Sequence, residues 1–581
     1  MARPAPQAIV DWAAYRRLFT PKLVLALREG YGGERLRSDV LAGLTVAILA
    51  LPLSMAIAIG AGVTPDKGLV STVVAGVLIS ALGGSRFQVG GPAAAFIVIV
   101  ANIIDKHGHD GLLTATLLAG LMLMLAGFLQ LGTYIKYVPG PVILGFTSGI
   151  GAVILVGQVK DFLGLAGDLP SDVFGRVRAL AGSLGSANPS AFLLAAATLA
   201  TIIGLRRWRP RWPGLLIAVV GASVLGWLLK LPVETIGTRF GGIPSALPAP
   251  ALPDLSWAKI SEVFPTAFTL AFLIGVESLL SAVAADAIAG TRHRSNMEVV
   301  AQGVANVATP LFGGLPATGV IARTGTNIAA GAATPLSGVL HALIVLAFML
   351  LLAPLAAYLT LPCLAAVLVS VAWRLLDLGE VWRFVLRAPW DDRVVLLSTL
   401  FLTVLVDLNV AISVGVVLAS MLFMHRMADA QSATLDAHGV APDRDDGDTP
   451  RSAVLDMPLP ESVRVFELRG PLFFGASASI AGALDGLRRW PRVLLLRMRD
   501  VPLIDATGIS ALEDLAALCA RHECRIIMSG LQPQPRQALH RYGFLRSRRV
   551  ILASNSFIAI EKAKALVGEP DARTPTPPAR G

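Results

Sequence analysis

Gly90-Gly91-Pro92-Ala93-Ala94-Ala95, running into Phe96-Ile97-Val98-Ile99-Val100, and Gly313-Gly314-Leu315-Pro316-Ala317-Thr318-Gly319, running into Val320-Ile321, break two apolar segments near their starts, one in each half of the chain. Glycine and proline interrupt regular helix, the first by conformational freedom and the second by its missing N–H. Paired interruptions at corresponding places are the sequence mark of a transporter built from a repeated unit, with short helices that begin near the bilayer midplane. Their unpaired amides and positive dipole ends would face one another, and a small anion would sit between them. Small residues also serve simple close packing of helices. The match between the two halves favours the site.

Of the 581 residues, 54% are hydrophobic and only 15% charged, with a mean hydropathy of +0.67, which points to a membrane protein. Crossing ~30 Å of hydrocarbon takes about twenty helical residues. About fourteen apolar segments can be drawn on that scale, at 38–60, 67–84, 92–104, 111–131, 138–157, 190–206, 212–230, 264–287, 297–312, 317–329, 334–354, 361–377, 392–408 and 410–427. The third and tenth are too short to span alone. The expected fold is thus an α-helical polytopic membrane protein carrying a small α/β domain at its C-terminal end.

Arg16, Arg17, Lys22, Arg28, Arg35 and Arg37 precede the first segment, and residues 1–37 read as a cytoplasmic segment with no cleavable signal. Counting on, Arg206, Arg207, Arg209 and Arg211 follow the sixth segment, Arg292 and Arg294 the eighth, and Arg374, Arg383, Arg387 and Arg393 surround the twelfth. Every dense basic cluster falls on the cytoplasmic side. The expectation is a multi-pass protein of the cell membrane with both termini in the cytoplasm. The net charge of +10 is held largely beside membrane segments, so lipid, and not nucleic acid, is the expected neighbour. Cys363, Cys519 and Cys524 outline neither a disulfide framework nor a metal site.

A transport domain is expected over 38–428, a polar linker over 429–460, an α/β domain over 461–566 and a disordered tail over 567–581. Within the α/β domain, 463–468, 493–498 and 525–529 read as strands, and 477–488, the stretch through Arg521 and 533–542 as helices. Alternating strands and helices imply a sheet covered by helices.

Asp39 to Ala58, Gly83 to Pro92 and Gly275-Val-Glu-Ser-Leu-Leu-Ser-Ala282 resemble the sulfate permease (SulP) family, which includes prestin and pendrin, and the C-terminal region resembles a STAS domain. The resemblance implies a seven-plus-seven inverted repeat, core and gate domains, elevator-like alternating access and a homodimer. It also implies transport of a small anion: sulfate, with bicarbonate and a dicarboxylate left open. The alternative is an anion-gated channel or sensor that signals through its STAS domain.

The residues expected at the anion are Ala93, Ala94 and Ala95 at one helix start and Thr318, Gly319, Val320, Ile321, Ala322 and Arg323 at the other. Leu53 and Ile57 would form a wall on the first segment. By the resemblance, Leu53 replaces a glutamine common in relatives, and Arg323 holds the place of a positive charge near the anion.

Glu277 lies mid-segment, where a carboxylate is expensive unless paired, hydrated or protonated. Ser281 is one helical turn on and faces the same way. The resemblance assigns this pair to a coupling ion, sodium or a proton. A structural ion pair between Glu277 and Arg323 is the competing reading.

In the STAS-like region, the loop Asp505-Ala506-Thr507-Gly508 carries Ala506 where anti-sigma antagonists carry a phosphorylated serine, and Thr507 reads as a helix N-cap. No phosphate-cradling glycine loop is present. The chain also lacks a metal-ligand cluster or a nucleophile–base pattern, so an enzyme is not expected.

Overall fold

The computed structural model describes residues 18–135, 139–167, 170, 173–209, 212–406, 408–429, 432–436, 459–460, 462–472, 490–546 and 550–568. It divides into two compact units, 1–419 and 420–581.

The first unit is helical. Its long helices are α1 (Gly33–Gly60), α2 (Pro65–Leu82), α3 (Ile97–Phe128), α4 (Gly140–Leu163), α5 (Pro189–Trp208), α6 (Gly214–Leu228), α7 (Trp257–Ala289), α8 (Ser295–Leu311), α9 (Ile321–Ala329), α10 (Leu336–Leu351), α11 (Leu361–Leu376) and α12 (Trp390–Leu405). A further helix, α13 (Leu408–Asp429), crosses the division between the units. Among the described residues, seven helices are long and apolar enough to cross a membrane unaided. The expected third and fourth segments are two helices that meet inside α3 at a kink, Gly108, where φ is 73° and ψ −178°. No helical residue has those angles, and glycine adopts a positive φ without a Cβ penalty.

Packing sorts these helices into two sets. In one, α1, α2, α3, α7, α8, α9 and α10 pack together, with α8 lying along α3 and α10 against α1 and α2. In the other, α4 packs on α11 and α12, and α5 on α6 and α11. Each set draws helices from both halves of the sequence, as a repeated unit requires. A continuous apolar core, including Leu51, Phe96, Ile150, Leu270 and Leu364, fills the space between helices.

Two strands of two residues each, β1 (Gly90–Gly91) and β2 (Thr318–Gly319), lie inside the first set and pair antiparallel, Gly90 with Gly319 and Gly91 with Thr318. A 3₁₀ turn at Ala94–Phe96 leads from β1 into α3, and β2 leads directly into α9.

The second unit holds a sheet in the order β3 (Ser432–Asp436), β4 (Val463–Arg469), β5 (Val493–Asp500), β6 (Arg525–Ser529) and β7 (Val550–Ala553). β3 runs antiparallel to β4 and the other neighbours are parallel. Helices α14 (Ala506–Arg521), α15 (Pro533–Arg541) and α16 (Ser556–Gly568) accompany it. Parallel strands are covered on both faces, and each face of this sheet has its own apolar cluster, one with Phe466, Leu494 and Leu512, the other with Val465, Leu495 and Ile560. β3 falls inside the stretch expected to be linker; its five residues have no apolar run, and pairing with β4 recruits them. The helix expected at 477–488 and the tail beyond 568 lie outside the described residues.

Candidate anion-binding site

Helix α1 carries Pro52 at its middle. Proline cannot donate to the carbonyl four residues earlier, which loosens α1 beside the strand pair. Leu53 and Ser54 follow. The Ser54 hydroxyl lies 2.7 Å from that of Thr72 on α2, both fully buried.

The strand pair brings the two helix starts together. Where the first turn begins, amides have no earlier turn to donate to, so the starts at Ala93–Ala95 and Ile321–Ala322 offer N–H groups without side-chain charge. The Val320 amide is committed, donating to the Val89 carbonyl at 3.0 Å. Thr318 is also occupied: its hydroxyl donates to the Ile274 carbonyl on α7 at 3.2 Å. Ile321 and Ala322 are exposed, whereas Gly319 is buried.

A cavity of about 610 Å³ reaches Leu53 and Ala322 between the two helix sets, lined further along by Thr326, Ser370, Arg206 and Arg374. Both arginines stand in the clusters that the positive-inside pattern assigns to the cytoplasm. Ile57, by contrast, is packed in the apolar core at 3% exposure and does not line this cavity.

Arg323 is fully buried behind the strands. Its guanidinium donates to Ser54 Oγ at 2.8 Å, to Thr72 Oγ1 at 3.4 Å and to the Gly90 carbonyl at 3.4 Å, and its Nε has no partner. Glu277 is not among its partners, and Glu277 Oε2 is itself buried without a hydrogen bond. The ion pair weighed as an alternative is therefore not formed. Arg323 instead meets neutral oxygens, so its positive charge is left uncompensated by any acidic side chain it touches. Gly91 makes this possible: its φ is +154°, and a Cβ there would lie 2.1 Å from an Arg323 guanidinium nitrogen.

Ser281 is buried on α7, and its hydroxyl lies 3.5 Å from that of Thr324, which accepts from the Val89 amide at 3.1 Å. Glu277 and Ser281 thus stand on the helix that touches both β2 and α9.

Several residues that hold this site were passed over in the sequence. Glu298, Gln302 and Asn306 form a buried polar ladder along α8 at four-residue spacing. Glu298 accepts from the Ser85 amide at 2.9 Å and from Gln302 at 2.9 Å. Asn306 accepts from the Ala317 amide at 2.9 Å and donates to the Ala317 carbonyl at 2.7 Å, doing for β2 what a neighbouring strand would do. The i, i+4, i+8 spacing of amides and a carboxylate in an apolar segment was the available signal. Asn327 secures the other strand's approach by donating to the Phe87 carbonyl at 3.0 Å.

In the second unit, Asp505 and not Thr507 is the N-cap: its carboxylate accepts from the Gly508 amide at 2.8 Å. Thr507 is the second residue of α14 and is exposed. The helix starts two residues earlier than the hydroxyl suggests because aspartate is at least as good a cap and its own backbone is extended.

Known proteins carry the same two-part plan. The sulfate permease family profile matches residues 36–399 and the STAS domain profile residues 455–556. "Putative sulfate transporter YvdB" of Bacillus subtilis is 38% identical over 89% of this chain and 95% of its own length. The bicarbonate transporter BicA of a Picosynechococcus strain is 30% identical, over 87% of this chain and 91% of its own length. The solved structure of SLC26A9 superposes with a TM-score of 0.83 over 97% of this chain and 98% of that one at 19% identity, a likeness of fold. The family profile and these relatives define a membrane anion transporter, of a family made of transporters and not enzymes. The chain belongs to the sulfate permease family and ends in a STAS domain.

Proposed function

We propose that this protein is a secondary active transporter of a small oxyanion in the cell membrane, with sulfate the first assignment and bicarbonate the second. The sulfate and bicarbonate names of its relatives support that order. A dicarboxylate such as succinate is the third candidate, favoured by the apolar wall at Leu53. The observation that carries the reading is the β1–β2 pairing, which joins two helix starts end to end beside a cavity that reaches Leu53 and Ala322.

The anion approaches past Arg206 and Arg374, whose charges raise its local concentration. At the helix starts it is held by main-chain donors, with Arg323 adding a long-range attraction from behind the strands. Weak, neutral ligation lets it leave again. The two helix sets support elevator-like movement, the set bearing the strands sliding against the other, in a homodimer with both termini cytoplasmic. Glu277 and Ser281 hold the coupling ion, sodium or a proton. A buried carboxylate oxygen with no partner is costly, and a cation or proton would satisfy it. A channel has no need of such a group.

Reconstitution into liposomes with radiolabelled sulfate, bicarbonate and succinate under imposed sodium or proton gradients tests this reading. Uphill accumulation of one of them is expected. Glu277→Gln, which mimics the neutral state, is expected to abolish gradient-driven accumulation while anion exchange persists. Unchanged accumulation in that variant would refute the coupling role.

A further inference from the structure

Gln88 stands two residues before β1 and is buried at 3% exposure. Its amide nitrogen donates to the carbonyl of Ser278, the residue after Glu277, at 3.1 Å. That bond fixes the amide's orientation, because turning it over would set two acceptors against each other. Its oxygen, Oε1, is buried without a hydrogen-bond partner. A leucine would fill the same space with no such penalty, so an amide at this position calls for a reason beyond packing.

The same side chain rests against the opposite strand. A Cβ built at Gly319 would lie 1.4 Å from Gln88 Nε2 and 2.3 Å from its Cδ. β2 therefore leaves room for the amide only because residue 319 has no side chain. The next residue completes the tie: Val89 donates to Thr324 on α9 at 3.1 Å and accepts from Val320 at 3.0 Å. Thr324 in turn meets Ser281, one turn beyond Glu277. One short stretch of chain thus touches the carboxylate-bearing segment of α7, both strands and the start of α9.

We propose that Gln88 is the positioning residue through which a cation at Glu277 sets the affinity of the anion site. A cation drawn to the Glu277 carboxylate displaces the adjoining Ser278 peptide. Gln88 follows its hydrogen bond, and the close fit against Gly319 passes the displacement to the strand pair from which both helix starts spring. Gln88 touches neither ion. This inference rests on the reading of Glu277 as the cation carboxylate.

The test measures equilibrium binding of radiolabelled sulfate and bicarbonate to the purified full-length protein. Sodium is titrated at fixed pH, and pH is stepped at fixed sodium. Binding is used because it is reciprocal between linked sites and independent of turnover. In the wild type the effective cation is expected to change anion affinity by about 5- to 150-fold, the usual range of coupling between sites. Gln88→Met keeps the length and removes the donor; anion binding is expected to persist while the cation effect falls below about twofold. Gln88→Leu, which also removes the donor, is expected to show the same loss and serves if Gln88→Met does not fold.

Glu277→Gln separates the two claims. If Glu277→Gln loses the cation effect but both Gln88→Met and Gln88→Leu retain it in full, the linking role is overturned and the Glu277 reading stands. If the wild type shows no cation effect, or Glu277→Gln retains it, the Glu277 reading fails and takes this inference with it.

Discussion

The two helix starts meet at one strand pair, yet they are built from opposite materials. At the first, Ala93, Ala94 and Ala95 offer nothing but backbone, and the approach is governed by Gln88 and Val89. At the second, every polar side chain is already employed: Thr318 on α7, Arg323 on α1 and α2, Thr324 on Val89, Asn327 on Phe87. What remains toward the cavity is the exposed Ala322, with Thr326 one turn on, its hydroxyl bonded to the Ala322 carbonyl. The charge of the second half is kept behind the strands and its small apolar face turned forward. A site made this way attracts an anion without gripping it, which suits release on the far side.

The sharpest way to break this comparison is to remove the space on which it depends. Gly91→Val sets a branched side chain at φ +154° against the Arg323 guanidinium. Loss of uptake by more than about a hundredfold is expected, since a side chain has no room to yield there and the strained backbone adds to the cost. Transport in proteoliposomes, with surface-labelled protein as the control for insertion, reads this out. Near-normal uptake would mean that Arg323 is not held by the first strand.

A smaller loss is expected at the two helix starts. Ala322→Leu and Ala94→Leu place bulk where an anion would approach main-chain amides, and should raise the apparent KM about tenfold or more with correctly inserted protein, since displacement from a few hydrogen bonds is worth that much. If only one of the two variants has an effect, the anion leans on one helix start, and the symmetry drawn here is sharpened to a single side.

Next in size is the vestibule. Arg206→Gln with Arg374→Gln removes two charges from the cavity mouth and should raise the apparent KM several-fold at low ionic strength, with the difference shrinking as salt shortens the Debye length to about 8 Å at physiological strength. A KM shift independent of salt would point to direct contact rather than steering.

The smallest effect belongs to the second unit. Asp505→Ala removes the α14 cap, worth about 1 kcal/mol, and amide exchange across 508–512 in the full-length protein should quicken by about fivefold. Uptake is expected to be unaltered. Thr507→Ala, at an exposed position inside the helix, should leave exchange unchanged, and a larger effect from Thr507 than from Asp505 would overturn the cap assignment.

Much of this molecule was legible in the chain. Apolar length and the distribution of arginine set out a polytopic membrane protein, since no other solvent tolerates so many unbroken apolar runs. The glycine-rich breaks at 90–95 and 313–319 marked the helix starts, because local backbone chemistry alone forbids regular helix there. Glu277 stood out by the cost of charge in an apolar segment, and Arg323 by the family resemblance.

Only tertiary structure decided where those charges went. Glu277 and Arg323 are not partners, Ile57 packs in the core, Thr507 yields its cap to Asp505, and Gln88 joins segments that lie far apart in the chain. The cap is settled within four consecutive residues; the physical reason is common to the other three. A residue's type states what it would pay to be buried alone, and that is written locally; which neighbour relieves that cost depends on contacts across hundreds of residues, which no local pattern encodes.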